Sequence, residues 1–370
     1  MRVVFLTENL QKKLPFLNHA ISGRNPLPIL SNFLLEAKNG KLKISATDLE
    51  IGIIVEIPAN IETEGTLTVP AKTFSDLFGN LDDEKITLSL KGTNLEVQGK
   101  KMHSVFQTMS PDDFPKIYDN KGSKIGVLKK SIIGSEFPRL VFAASQDMGR
   151  PALSGILLSK GSKGLSIVAT DGYRLSLKTG LVVDLKTSGE EDSFLVPARV
   201  MRELIGFKEE GDEVVVSLSR ESNQIIFKQG DTLLIGRLIE AEYPSYEKII
   251  PSSFSLSTIF NREEMLNAVK ICSVFARETA NIIKLNLLKD KIVVSANTPS
   301  VGENTVEIEA KTDGDENEIA FNARYLLDVL AVLGGDEILF EMGGPLNPGV
   351  FRVKNDPSFL HLIMPIRVQG

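Results

Sequence analysis

The sequence predicts an α+β fold made of three tandem repeats, each an antiparallel sheet with helices packed on one face. The first indication is a segment that occurs three times, in which an apolar strand leads into a helix: Leu67-Thr68-Val69-Pro70-Ala71-Lys72, Phe194-Leu195-Val196-Pro197-Ala198-Arg199 and Ile319-Ala320-Phe321-Asn322-Ala323-Arg324. The copies are spaced by 197 − 70 = 127 and 322 − 197 = 125 residues. The second indication is an acidic pair after each helix, followed by alternating apolar residues, which is typical of half-buried strands.

Each repeat can be read in chain order. An amphipathic stretch predicts a helix near its start, at about 8–22, 128–145 and 261–277. A strand then ends in a small polar turn, Ala46-Thr47-Asp48, Ala169-Thr170-Asp171 and, less closely, Ala296-Asn297-Thr298. Proline or the capping residue Asn322 then begins the second helix. The predicted domains are residues 1–120, 121–250 and 251–370.

Composition excludes several classes of protein. The chain has 370 residues, of which 42% are hydrophobic and 24% charged, a normal globular balance. One cysteine and three scattered histidines predict neither a disulfide framework nor a metal site, and no cofactor is expected. No apolar run has the roughly 18 residues of a membrane span, and no signal-peptide pattern begins the chain, so we expect a cytoplasmic protein without membrane contact.

Enzymatic motifs are missing from the sequence. It contains no GxxxxGK[ST] phosphate loop, no GxGxxG segment that opens a helix and no GxSxG elbow. Asp48 and Asp171 could be offered as a general acid/base pair, but they occupy equivalent positions after strands, where aspartate usually forms Asx turns. We therefore predict that the protein is not an enzyme.

The net charge of −6 argues against a nucleic-acid binder held by bulk charge. Positive charge nevertheless recurs locally, because Lys72, Arg199 and Arg324 share one register in the first turn of equivalent helices. These cations are either ordinary solvated residues or a common surface that meets a phosphate backbone.

Size limits what three repeats could enclose. A domain of about 123 residues has a diameter of roughly 35 Å. Three such bodies joined head to tail leave a hole of about 5 Å, whereas six leave roughly 35 Å, wider than duplex DNA at about 20 Å. Encircling a duplex would therefore need two chains.

The sequence resembles the bacterial beta sliding clamp family, the beta subunit of DNA polymerase III, along its whole length. The segments that carry the resemblance are Leu27-Pro28-Ile29-Leu30, Ala46-Thr47-Asp48-Leu49-Glu50, Thr68-Val69-Pro70-Ala71-Lys72, Asp113-Phe114-Pro115, Ala169-Thr170-Asp171-Gly172-Tyr173-Arg174-Leu175, Val196-Pro197-Ala198-Arg199, Tyr325-Leu326-Leu327-Asp328-Val329-Leu330 and Met364-Pro365-Ile366-Arg367.

The resemblance implies a homodimeric head-to-tail ring of DNA clamp fold that encircles double-stranded DNA without reading its sequence. Implied partners are the DNA polymerase III alpha subunit, the clamp loader complex, and translesion polymerases and mismatch-repair proteins that carry short linear motifs. A scaffold of tandem α+β domains that binds linear peptides but not DNA remains the alternative.

The resemblance also implies three sets of site residues. The partner-peptide cleft would comprise Leu153, Thr170, Tyr173, Arg174, Leu175, Pro244, Ile249, Leu362, Met364, Pro365, Ile366 and Arg367. The DNA contacts would be Arg24, Lys72, Gln146, Arg150 and Arg199, to which the internal repeat adds Arg324. The dimer interface would pair Ser104 and Phe106 with Val274 and Phe275.

Overall fold

The computed structural model describes residues 1–21, 27–117, 122–147, 149–161, 164–185, 193–278 and 280–367. The described residues form two compact units. The first unit takes them from 1–131, 184–187 and 199–238, and the second from 132–183, 188–198 and 239–370. Residues of the second repeat contribute to both units, so the sequence division near 120 and 250 stays a prediction about repeats.

The first repeat alternates strands with short helices. Its strands are β1 (Arg2–Leu6), β2 (Asn32–Lys38), β3 (Lys41–Thr47), β4 (Ile51–Pro58), β5 (Asn60–Thr63), β6 (Gly65–Pro70), β7 (Lys85–Lys91), β8 (Asn94–Gln98) and β9 (His103–Gln107). Its helices are α1 (Thr7–Gln11), α2 (Leu14–Leu17) and α3 (Ala71–Gly79), with 3-10 turns at Asn18–Ala20, Pro28–Ser31 and Pro111–Asp113.

The second repeat follows the same order. Its strands are β10 (Ser123–Lys129), β11 (Gly155–Gly161), β12 (Gly164–Thr170), β13 (Arg174–Leu181), β14 (Asp184–Leu185), β15 (Ser193–Pro197), β16 (Glu213–Ser219), β17 (Gln224–Gln229) and β18 (Thr232–Arg237). Its helices are α4 (Lys130–Glu136), α5 (Pro138–Val141) and α6 (Ala198–Ile205), with 3-10 turns at Pro151–Ser154 and Tyr246–Ile249.

The third repeat has longer helices. Its strands are β19 (Leu256–Asn261), β20 (Ile282–Leu287), β21 (Lys291–Thr298), β22 (Gly302–Gly314), β23 (Asn317–Asn322), β24 (Glu337–Met342), β25 (Gly349–Val353) and β26 (Phe359–Ile363). Its helices are α7 (Arg262–Ala276) and α8 (Ala323–Val332). The side-chain oxygen of Asn322 accepts the N–H of Arg324 (2.9 Å), so the predicted cap is confirmed.

Antiparallel sheets connect consecutive repeats. In the first unit one sheet has the order β5-β1-β7-β8-β9 and a second has the order β14-β10-β16-β17-β18-β4-β3-β2-β6. The second unit contains one twelve-stranded sheet of order β15-β11-β12-β13-β26-β25-β24-β19-β22-β21-β20-β23. The joints β18–β4 and β26–β13 are equivalent, because each pairs the last strand of one repeat with the strand after the polar turn of the preceding repeat.

The predicted amphipathic helices form in all three repeats, but two of them are interrupted. The first breaks between α1 and α2, where Pro15 follows Leu14, and the second breaks between α4 and α5 at Pro138. Proline lacks the backbone N–H that continues a helix and its ring clashes with the preceding turn. The third stretch contains no proline, and α7 runs unbroken for 15 residues.

No helix in the described part of the chain is long and apolar enough to span a membrane. Among the same described residues, no group of three or more histidine, cysteine, aspartate or glutamate side chains is arranged to hold a metal ion.

Candidate functional site

The predicted cleft lies within the second unit, and its floor is an apolar cluster on β13 and β26. Leu175 pairs in register with Leu362, and both side chains are fully buried. They belong to a cluster with Val168, Leu177, Val350 and Leu360, against which Tyr243 and Tyr246 also pack. Burial of this kind stabilises the strands and gives the cleft a rigid base.

One wall is the turn between β12 and β13. The Thr170 hydroxyl donates to the carbonyl of Arg174 (2.6 Å) and accepts the N–H of Gly172 (3.1 Å). Oδ1 of Asp171 accepts the N–H groups of Tyr173 (2.9 Å) and Arg174 (3.0 Å). Gly172 has φ +92°, a conformation that favours glycine. These bonds fix the turn and leave the Tyr173 ring 57% exposed.

The opposite wall is the segment that follows β26. The N–H of Met364 donates to the carbonyl of Tyr173, and the N–H of Ile366 to the carbonyl of Ala320, each at 2.8 Å. Met364 and Arg367 are exposed, whereas Pro365 and Ile366 are half-buried. Backbone hydrogen bonds therefore fix this segment, and the exposed side chains of Met364 and Arg367 remain available to a ligand.

The rim of the cleft is formed by residues outside the sheet. Pro244 and Ile249 are exposed, the latter within the 3-10 turn Tyr246–Ile249, and Leu153 is half-buried in the turn Pro151–Ser154. Burial raises the pKa of Tyr243, so its phenol stays protonated beneath the rim. An apolar floor with a flexible methionine and a few fixed polar groups suits a short peptide with apolar anchors.

Arg174, which the resemblance assigns to the cleft, has its charged group inside the protein. Its guanidinium is buried and donates to Asp171 (3.1 Å), Asp328 (2.6 Å) and the carbonyl of Phe142 (2.9 Å). It also lies over the rings of Phe142 and Tyr325, 5.2 and 4.6 Å from their centroids. Its positive charge is therefore neutralised by Asp171 and Asp328, and its contacts connect the turn after β12 to α8. Residues 325–328 carried part of the resemblance, but no pattern in the sequence assigned them to this site.

The recurring cations at the second helices differ in their contacts. Lys72 and Arg324 are exposed, and neither has an ion-pair partner within the described residues. The Arg199 guanidinium pairs with Asp48 (2.5 Å) and Glu50 (3.4 Å) and donates to the carbonyl of His19 (3.0 Å). Two of the three cations are therefore available to a phosphate, and the third is neutralised by the chain itself.

The other predicted DNA contacts lie on an exposed loop. Gln146 and Arg150 are exposed, and Nε of Arg150 pairs with Asp147 at 3.2 Å. A backbone hydrogen bond from Gly149 and the bond from Arg150 lower the pKa of Asp147. Arg24 lies outside the described residues.

The predicted dimer residues lie on β9 and α7. Ser104 is half-buried, and the Phe106 ring is buried inside the first unit, 5.9 Å from the Phe74 ring centroid. The exposed side chains of β9 are His103, Val105 and Gln107, and the apolar one, Val105, is 53% exposed and was not selected from the sequence. Val274 is 57% exposed and Phe275 is half-buried on α7.

The two aspartates offered as an acid/base pair each have a structural role in a turn. Oδ1 of Asp48 accepts the N–H groups of Glu50 (3.1 Å) and Ile51 (3.0 Å), as Asp171 does in the second repeat. Asp48 and Asp171 therefore cap equivalent Asx turns, as the sequence predicted.

Antiparallel α+β repeats joined strand to strand define a clamp fold of three repeats. Comparison with known families agrees. The models of the DNA polymerase III beta subunit match the N-terminal domain at residues 1–118, the central domain at 128–245 and the C-terminal domain at 247–367.

Full-length relatives and solved structures give the same result. The chain is 27% identical to the beta sliding clamp of Synechocystis sp., covering 100% of both chains, and 28% identical to that of Staphylococcus aureus, covering 94% of each. The sliding clamp structure from Bacillus subtilis superposes with a TM-score of 0.94 at 25% identity, and the DNA polymerase III beta subunit from Pseudomonas aeruginosa with 0.93 at 26% identity, each over 100% of both chains. The chain belongs to the bacterial beta sliding clamp family. The fold class and the sliding-clamp function predicted from the sequence are confirmed.

Proposed function

We propose that two copies of this protein close into a ring around duplex DNA, slide without reading sequence and hold the replicative polymerase on its template. The observation that carries the tethering role is the pair of exposed side chains, Tyr173 and Met364, which lie on adjacent backbone segments beside a buried apolar cluster. An exposed aromatic ring and a methionine over an apolar floor suit partners that differ in sequence.

Closure of the ring follows from the two joints inside the chain. Strand β4 pairs with β18 and β13 with β26, and the equivalent strand of the third repeat is β22. Among the described residues, β22 has no second neighbour over 302–309, and β9 pairs only with β8. We propose that β9 of one copy adds to β22 of the other, which would cover both free edges.

Charge supports this pairing. The start of β9 is flanked by the exposed cations Lys100 and Lys101, whereas β22 carries the exposed carboxylates Glu303 and Glu307, of which Glu307 also pairs with Lys291 at 2.9 Å. Opposite charges facing across the joint would favour association and fix its register, and salt would weaken this contribution. The exposed Val105 on β9 and Val274 on α7 would supply apolar contact.

For DNA contact we propose Lys72, Arg324, Gln146 and Arg150, all exposed. Arg199 would first have to break its ion pair with Asp48, so we expect it to contribute less to the affinity for DNA. The polymerase III alpha subunit, the clamp loader, translesion polymerases and mismatch-repair proteins are proposed as users of the cleft. The protein would catalyse nothing itself and, as a replication factor, would act in the bacterial cytoplasm.

The decisive experiment is retention on a nicked circular plasmid, after loading by a clamp loader with ATP. A ring held topologically is retained on the circle and released when the plasmid is linearised. Sedimentation of the protein alone should give a dimer of 2 × 40.6 = 81.2 kDa. Retention after linearisation would mean that direct contacts, rather than a closed ring, hold the protein on DNA. A stable monomer at micromolar concentration would contradict the ring and favour the scaffold that binds peptides but not DNA.

A second measurement tests the cleft. The resemblance to sliding clamps implies partner peptides with glutamine and leucine/phenylalanine anchors. A fluorescein-labelled peptide of this kind, called the cleft probe, should bind with a rise in fluorescence anisotropy. Deleting residues 364–370 removes one wall of the cleft and should abolish that rise while the circular dichroism spectrum remains unchanged. Unchanged affinity would contradict the assignment of this wall.

A further inference from the structure

A second pocket lies in the first unit, at the joint where β4 pairs with β18. Its volume is about 160 Å³, and its lining includes Leu49, Ile51, Lys116, Ile235 and Arg237. None of these five residues belongs to the predicted cleft, to the predicted DNA contacts or to the proposed dimer edges. We call it the first-joint pocket.

The turn that borders this pocket repeats the turn of the cleft. The Thr47 hydroxyl donates to the carbonyl of Ile51 (2.7 Å) and accepts the N–H of Leu49 (3.0 Å). Thr170 makes the same two kinds of bond in the turn of the cleft, where the N–H that it accepts belongs to Gly172. Leu49 therefore stands at the position of Gly172.

Leu49 has a backbone conformation that leucine normally avoids. Its φ is +78°, close to the +92° of Gly172. A Cβ atom makes this left-handed conformation costly, so glycine is the residue that fits it without strain. The Leu49 side chain is also 51% exposed, so burial inside the protein does little to offset that cost. A strained residue with an exposed apolar side chain at the mouth of a pocket indicates a role in binding.

The charges around the first-joint pocket are unbalanced. Lys116 and Arg237 are exposed, and neither has an ion-pair partner within the part of the chain that the structure describes. The carboxylates on the neighbouring turn are already engaged, because Asp48 and Glu50 pair with Arg199. The pocket therefore presents two positive charges together with an exposed apolar side chain.

The segment after β18 follows the same course as the segment after β26. The N–H of Arg237 donates to the carbonyl of Glu50 (3.1 Å), as that of Met364 does to the carbonyl of Tyr173 (2.8 Å). The aromatic ring and the thioether of the cleft are thus replaced here by a carboxylate and a guanidinium. A ligand of the first-joint pocket should therefore differ in charge from a ligand of the cleft.

The floor of the first-joint pocket is apolar. Ile235 is buried and pairs in register with Gly52, and Ile117 packs against the same apolar cluster. A cavity of about 150 Å³ holds a group the size of benzene, so this pocket has room for one apolar side chain.

We infer that the first-joint pocket binds an acidic protein segment that carries a single apolar residue between its carboxylates. The apolar side chain would pack on Leu49 above the isoleucine floor, and the carboxylates would pair with Lys116 and Arg237. A phosphate backbone supplies negative charge but no apolar group for Leu49, so the pocket suits a peptide better than DNA. This site goes beyond the proposed tethering function, because the cleft takes no part in it.

The probe for the test is a fluorescein-labelled peptide, Gly-Asp-Glu-Ile-Glu-Asp-Gly, called the acidic probe, added to the full-length protein at low salt. We expect saturable binding in fluorescence anisotropy. The double variant Lys116→Gln with Arg237→Gln should bind the acidic probe at least fivefold more weakly. The matched control is Lys38→Gln with Lys85→Gln, which removes two exposed lysines of the same unit outside the pocket and should bind as the wild type does.

Leu49→Gly separates binding from stability. It removes the apolar side chain and relieves the backbone strain, so affinity for the acidic probe should fall at least fivefold whereas the melting temperature should not fall. Leu49→Ala keeps the strained backbone and should bind the probe as weakly. Leu27→Ala is its control, because Leu27 is a leucine of the same unit that is 47% exposed and outside the pocket, and its affinity should be unchanged.

Several outcomes would overturn the inference. They are absence of acidic-probe binding, an equal loss of affinity in the Lys38 and Lys85 control, and unchanged affinity of Leu49→Gly. Full displacement of the acidic probe by a short DNA duplex would assign the two cations to phosphate instead. Full displacement by excess cleft probe would place the acidic probe in the cleft. Normal binding of the cleft probe in all these cases would leave the tethering function standing.

Discussion

The backbone N–H of Met364 donates to the carbonyl oxygen of Tyr173 at 2.8 Å, so one hydrogen bond holds the segment after β26 beside the turn between β12 and β13. Because the bond uses only main-chain atoms, it fixes these two segments without using either side chain. Tyr173 and Met364 remain exposed to make contact with a peptide. Affinity for partners should therefore depend on these side chains, whereas the shape of the site depends on buried neighbours below them.

Arg174 is the buried neighbour whose loss should affect this shape most. Arg174→Ala leaves the carboxylates of Asp171 and Asp328 without their cation and removes a side chain packed between Phe142 and Tyr325. Removing one partner of a buried ion pair costs about 3–5 kcal/mol, and the partial exposure of Asp328 places the expected loss at the lower end. Urea denaturation followed by circular dichroism measures it.

The control for Arg174 is Arg150→Ala. Arg150 also pairs with an aspartate three residues away, Asp147, but both side chains are about half exposed. Exposed pairs contribute about 0–1 kcal/mol, so this variant should unfold almost as the wild type does. Equal stability losses for the two variants would show that Arg174 does not act through buried charge.

His361 should make stability depend on pH. Its ring is fully buried, its Nδ1 lies 2.7 Å from the Ser176 hydroxyl, and its Nε2 has no partner among the described residues. Burial, and secondarily the Arg174 charge, hold the pKa of His361 well below its ordinary value. Below about pH 6.5 His361 therefore binds a proton in the unfolded chain but stays neutral in the folded chain.

Stability is lost as pH falls from about 6.5 toward the folded pKa, by up to about 1.4 kcal/mol per pH unit for this group. His361→Gln removes that contribution, so its free energy of unfolding should fall less steeply between pH 7 and 5 than that of the wild type. Parallel curves for the two proteins would contradict the assignment, whatever their absolute stabilities.

Gly52 and Ile117 should be coupled. A Cβ atom on Gly52 would clash with Cγ2 of Ile117, which packs against the cluster of Ile54 and Ile235. Overpacking of this kind costs about 1–3 kcal/mol, so Gly52→Ala should destabilise the first unit. The double variant with Ile117→Ala, which lacks Cγ2, should lose less than the sum of the single variants in urea denaturation.

Gly134 provides the control for Gly52. It lies in α4 with open space at its Cβ position, so Gly134→Ala should be neutral or stabilise the protein by up to about 1 kcal/mol. Additive losses for Gly52 and Ile117 would mean that the strand moves to relieve the clash.

The sequence alone supports prediction of the features that depend on neighbouring residues. The Asx turns at Asp48 and Asp171 and the cap at Asn322 each need only a polar side chain and the next few N–H groups. The pairing of Arg199 with Asp48 joins residues about 150 positions apart, as does that of Arg174 with Asp328. No local pattern in the sequence reports such contacts, so these two ion pairs could not be predicted from it.

The different environments of Lys72, Arg199 and Arg324 give the last prediction. For duplex DNA, the slope of log K against log salt should fall by about 0.9 for each phosphate that the protein no longer neutralises. Lys72→Gln with Arg324→Gln should therefore flatten the salt dependence measured by fluorescence anisotropy with a labelled duplex. Arg199→Gln should change the slope less, because Asp48 and Glu50 already neutralise that guanidinium. Lys354→Gln is the control for removal of one charge. Lys354 lies just after β25, its ammonium pairs with Glu337, and its loss should leave the slope unchanged. A flattening by Lys354→Gln equal to that of the double variant would mean that net charge, rather than phosphate binding by Lys72 and Arg324, governs association with DNA.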